Sequence, residues 1–167
     1  DYVNYKIVDW MDSKEYDKLI AEVEPYNFKE KFTMPKFIIN AASDEFFVTD
    51  SWQFYWDDLP GEKHLRYVPN AGHSLEGTYQ LENLASFYYR FLNNINQPNW
   101  NWKINNDTIF VNINQGQNYK IAKWEVNNPK ERDFRIYKIG KTWQKTDIET
   151  NGKGHYAIPL KSDKGYT

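Results

Sequence analysis

Leu81, Leu84, Ala85, Tyr88, Phe91, Leu92 and Ile95 fall at spacings of three and four. One apolar face of that kind predicts a long helix near Glu76 to Asn94. Earlier in the chain, Asp12-Ser13 offers a cap for a helix over Lys14 to Val23. Phe28 to Phe32 reads as a short helical turn, and Ser51 to Leu59 as a helix stopped by Pro60-Gly61. Pro35 opens Lys36-Phe37-Ile38-Ile39-Asn40, an apolar run of strand length that suits a buried parallel strand. Lys63 to Val68 is a second strand, closed by Pro69-Asn70. Strand, helix, strand, helix in that order predicts parallel pairing with right-handed crossovers.

Beyond residue 98 the pattern changes to short alternating runs. Thr108 to Ile113, Tyr119 to Val126, Phe134 to Ile139 and His155 to Leu160 read as strands. Asn105-Asn106-Asp107, Asn114-Gln115-Gly116 and Asn151-Gly152 supply turns between them. The expectation is a small antiparallel β sandwich. The polar stretch Asn93 to Asn99, with Pro98, reads as the linker, dividing the chain into 1–97 and 98–167.

Composition narrows the function classes. Seven Trp, thirteen Tyr and ten Phe among 167 residues can fill a core. The 21 basic and 23 acidic residues nearly balance. With no basic run, nothing favours nucleic acid. Without cysteine there is no disulfide, thiolate nucleophile or zinc knuckle. No apolar run approaches the roughly 20 residues of a membrane span. The chain opens on Asp1-Tyr2 without an initiator Met or signal peptide, and both ends read as cut points.

Two loops attract chemical interest. Asp44 lies just beyond the first strand, in Asn40-Ala41-Ala42-Ser43-Asp44-Glu45-Phe46-Phe47, at the edge of a parallel sheet where ligands bind. His73 lies in Val68-Pro69-Asn70-Ala71-Gly72-His73-Ser74-Leu75, just beyond the second. Adjacent strand ends bring such loops together, so an Asp–His hydrogen bond is geometrically natural. A carboxylate in that place fixes the His tautomer and stabilises the imidazolium formed when the ring takes a proton from a serine. Glu45 and Asp50 are rival acids in the same loop. An Asp after a strand is also ordinary turn chemistry, as is a Gly-His-Ser loop. His64 reads as a strand residue and His155 as part of the sandwich. Trp52, Phe54, Tyr55 and Trp56 read as core. Trp100, Trp102, Trp124 and Trp143 read as core before they read as a sugar platform. His73 and Asp44 alone do not make a metal site, and no cofactor is implied. No Gly-x-Ser-x-Gly nucleophile elbow occurs in the chain.

Met34 to Phe47, Phe54 to Lys63, Leu65 to Asn70, Arg132-Asp133-Phe134-Arg135 and Trp143 resemble the PhoPQ-activated pathogenicity-related family. The resemblance implies the C-terminal part of an α/β-hydrolase domain, similar to dipeptidyl-peptidase-type serine peptidases, over 1–97. A β-sandwich domain lacking its last strand would follow over 98–167. It implies that Asp44 and His73 are the acid and base of a Ser-Asp-His triad whose serine lies in a missing N-terminal half. The substrate would be a peptide or ester, and the location secreted, periplasmic or extracellular. The alternative is a non-catalytic secreted signalling or binding protein of virulence-associated or proliferation-repressor type.

Overall fold

The computed structural model describes residues 2–96, 99–114, 118–160 and 165–166. Gln97 and Pro98, at the centre of the expected linker, lie outside the described residues, as do Gln115 and Gly116 of one expected turn.

Helix α1 spans Lys14–Val23, capped by the Ser13 hydroxyl, which accepts the Tyr16 N–H at 3.1 Å. A 3₁₀ turn follows over Pro25–Lys31. Strand β1 (Lys36–Ala41) and strand β2 (Lys63–Val68) form a two-stranded sheet. Helix α2 spans Gln80–Leu92. Strands β3 (Trp100–Ile104), β4 (Thr108–Ile113), β5 (Ile121–Glu125), β6 (Gln144–Ile148) and β7 (His155–Pro159) follow, with the four-residue helix α3 (Ile136–Ile139) between β5 and β6. The order β3-β4-β7 makes one antiparallel sheet, with Asn101 opposite Asn112 and Asn112 opposite His155. β5 and β6 make another, with Lys123 opposite Thr146.

This architecture corrects the expected fold class. The chain does not form the parallel, helix-flanked layers of an α/β-hydrolase part followed by a β sandwich. Among the described residues, seven short strands are spread over three small sheets, and every defined register is antiparallel. At β1–β2 the flanking bonds, Lys36 N–H to Glu62 O and Ala42 N–H to Val68 O, keep one sequence offset, so these two strands run the same way. A parallel sheet needs cover on both faces. Here only the last residue of each strand is buried.

Three local expectations also change. Ser51 to Leu59 yields only a 3₁₀ turn at Ser51–Phe54. Phe134 to Ile139 is not a strand, because Arg135 turns the chain into α3. The long helix begins at Gln80 rather than Glu76, after a turn in which Thr78 Oγ1 donates to Leu75 O.

The chain forms two compact units. One comprises Asp1–Ile38 with Asp50–His64, the other Ile39–Thr49 with Leu65–Thr167. In the first, the Lys36 ammonium donates to the carbonyls of Phe32, Met34 and Pro60. In the second, a small core gathers Ala41, Val68 and Ala71, with Ile39 and Leu75 packed against it. Both loops of chemical interest grow out of this core.

Candidate functional site

The site begins where β1 and β2 end. Ala42 N–H donates to Val68 O at 2.9 Å and Ser43 N–H to Ala71 O at 3.1 Å, so the two loops stay side by side past the strands. Ser43 is fully buried. Its hydroxyl accepts the Trp143 indole N–H at 2.9 Å, and its carbonyl accepts the Ile136 N–H at 2.9 Å. Across from it, Asn70 sits in the left-handed region at φ 57°. Its side chain takes the Trp143 N–H at 2.9 Å and donates to the Trp143 carbonyl at 3.1 Å. One distant residue thus holds both loops. Nothing local in the sequence points to it, because Trp143 lies 100 positions from Ser43.

The Asp44 carboxylate is turned back on its own loop. Oδ1 accepts the N–H groups of Phe46 at 2.8 Å and Phe47 at 2.9 Å. His73 Nδ1 lies 3.0 Å from Oδ2 and 3.2 Å from Oδ1. Burial pushes the Asp44 carboxyl up. The Phe47 and Phe46 N–H groups and His73 outweigh it, leaving the carboxyl below its ordinary value. An ionised carboxylate only accepts, so Nδ1 carries the hydrogen and the neutral ring presents Nε2 as its basic nitrogen. The Asp44 side chain is 8% exposed and that of His73 43%, so the acid is covered while the imidazole is reachable.

The His73 ring is bracketed by Phe46, centroid 4.9 Å away and edge-on, and Phe47, 5.2 Å away and tilted. Both phenyl side chains are exposed, at 74% and 65%. Leu75 N–H closes a turn onto Gly72 O at 3.0 Å, and Leu75 stands at φ 53°. That conformation costs a non-glycine residue roughly 1–2 kcal/mol. The packing of Leu75 on the Ala41–Val68–Ala71 core holds it there.

Glu45 accepts the His73 backbone N–H at 3.0 Å rather than the ring. Asp50 precedes the 3₁₀ turn and belongs to the other unit. His64 pairs with Glu62 at 2.9 Å. His155 lies on β7, its Nδ1 2.8 Å from Asn112 Oδ1. Of the aromatic residues expected as core, Phe54, Trp100 and Trp124 are exposed. Among the described residues no group of three or more His, Asp or Glu is placed to hold a metal ion.

Comparison with known proteins places this geometry in context. No solved structure matches the chain. Autocrine proliferation repressor protein A of Dictyostelium discoideum is 34% identical over 190 residues, an alignment covering 99% of this chain and 38% of that protein. The chain therefore spans well under half the length of that relative. The family model described as PhoPQ-activated pathogenicity-related protein matches residues 1–135, which include both site loops. The chain belongs to the PhoPQ-activated pathogenicity-related protein family.

Proposed function

We propose that this chain is part of a secreted signalling or binding protein of the proliferation-repressor type. The observation that carries the reading is the 34% identity, over 99% of the chain, to a protein named for repressing proliferation. The site suits recognition. Phe46 and Phe47 present apolar area to solvent beside a polar ring held by Asp44. Among the described residues no helix is long and apolar enough to cross a membrane. The test is to add purified full-length protein to dividing cells of its source and follow the growth rate. Repression is expected, with the dose response shifted to higher concentration in His73→Ala and Phe47→Ala, which cut away that surface. No slowing of growth at any dose would sink the reading.

The Asp44–His73 geometry favours a second reading, a serine hydrolase of peptidase or esterase type. His73 Nε2 would take the proton of a serine supplied from outside this chain and return it to the leaving group of a peptide or ester. Asp44 would hold Nδ1–H and stabilise the imidazolium. A fluorophosphonate probe should then label one serine of the full-length protein. Asp44→Asn should lower turnover by about 10⁴-fold, with His73→Ala at least as severe. A protein that takes no probe is not this enzyme.

A further inference from the structure

We propose that Glu45 is a positioning residue that sets the His73 imidazole on Asp44. The inference deepens the hydrolase reading and rests on it for the purpose of the ordered ring. Asp44 reaches His73 through the side chain, whereas Glu45 reaches it through the main chain, its Oε2 accepting the His73 N–H at 3.0 Å. Consecutive acids thus fix the two ends of one residue, backbone and ring. A histidine anchored at the ring alone still swings about its own backbone; anchoring the N–H removes that freedom. A charged acceptor on a backbone N–H makes one of the stronger hydrogen bonds available.

Gly72 supplies an independent observation. A Cβ there would stand 2.7 Å from Glu45 Oε2, 3.3 Å from Oε1 and 3.0 Å from Ile136 Cγ2. The carboxylate occupies the space that any larger residue would need. Glycine before His73 is what lets Glu45 reach the N–H, while Ile136, anchored to Ser43 O, closes the other side.

The experiment measures carbethoxylation of each histidine in the full-length protein by diethyl pyrocarbonate, resolved by peptide mass spectrometry across pH. The plateau rate at high pH reads ring freedom and access, since every imidazole is then neutral. Glu45→Ala should raise the His73 plateau several-fold and leave His64 and His155 as in wild type. Glu45→Gln, whose amide oxygen still accepts the N–H through a weaker, uncharged bond, should stay closer to wild type than to Glu45→Ala. Equal His73 plateaus in Glu45→Ala and wild type overturn the proposal. So does a Glu45→Gln plateau as high as that of Glu45→Ala, which would assign the effect to charge. Should Glu45→Ala disturb all three histidines through unfolding, Glu45→Asp decides. A rise at His73 alone supports positioning, and no rise overturns it. Fluorophosphonate labelling is scored separately. A protein with the expected His73 response and no labelled serine keeps the positioning role and loses the hydrolase reading.

Discussion

Asn70 shows how much one side chain settles. Its left-handed backbone, φ 57°, turns the chain out of β2 toward His73. Asn adopts that conformation more readily than most residues. The same side chain makes two hydrogen bonds to the Trp143 backbone. Asn70→Ala removes both bonds and strains the turn, so a loss of about 2–4 kcal/mol is expected in urea unfolding. Asn70→Gly keeps the turn and should lose less than Asn70→Ala. Trp143→Phe leaves the buried Ser43 hydroxyl without its indole donor, at about 1–3 kcal/mol. Both acids beside His73 were visible in the sequence, and spacing alone left them as rivals. Three-dimensional reach separated them, with Asp44 on the ring and Glu45 on the backbone.

At the scale of elements, helix α1 was the most legible, because its signals are local. Ser13 caps it through the Tyr16 N–H, and Ser13→Ala should cost about 1 kcal/mol, read from the thermal midpoint of the unit that contains it. The short apolar runs behaved differently. Phe134 to Ile139 has strand-like composition, yet Ile136 N–H bonds to Ser43 O and the segment becomes a helical turn. That partner is far away in sequence, so no window of local pattern contains it. Strands β3 and β6 were not anticipated; Gln-Lys-Thr-Asp-Ile carries little apolar contrast, whereas the strict apolar–polar alternation of Trp-Asn-Trp-Lys-Ile is itself a strand signal. Their pairing partners make them strands. The turn into β7 depends on Gly154, at φ 73°, whose added Cβ would fall 2.1 Å from Ile113 O. Gly154→Ala should break the Ile113 N–H to Gly154 O bond, 2.7 Å, and disorder the β4–β7 edge. Loss of amide-exchange protection at Ile113 is the measurement.

For the whole molecule, two carboxylates in the second unit contribute to the acid limb of stability. Asp133 is held at about 2 by its hydrogen bonds to the Arg135 side chain, with burial opposing and the Arg135 N–H assisting. Its folded value lies below its unfolded one. Its contribution is therefore complete above the ordinary carboxylate range, near 4, and is lost as pH falls toward about 2. Asp44 is lowered too and acts in the same direction. Stability should decline steadily below about pH 4. Asp133→Asn should flatten that decline in urea titrations taken at successive pH values; an unchanged slope would count against the Asp133–Arg135 link. The same link closes the loop in which Asn128 Nδ2 donates to Asp133 O at 2.8 Å.

By itself, the sequence determined what rests on near neighbours. It marked the cap of α1, the existence of β1, β2, β4, β5 and β7, and the two loops bearing Asp44 and His73. Through motifs in those loops, it determined the family. Only the tertiary structure decided how the strands associate. A strand run specifies extended backbone and a face, while its partner and direction depend on residues far along the chain. The tertiary structure also decided that both site loops belong with the C-terminal strands, because Trp143 and Ile136 bind Ser43 and Asn70 across long sequence separations. Local pattern carries no record of such bonds. Only folding brings their donors and acceptors within reach.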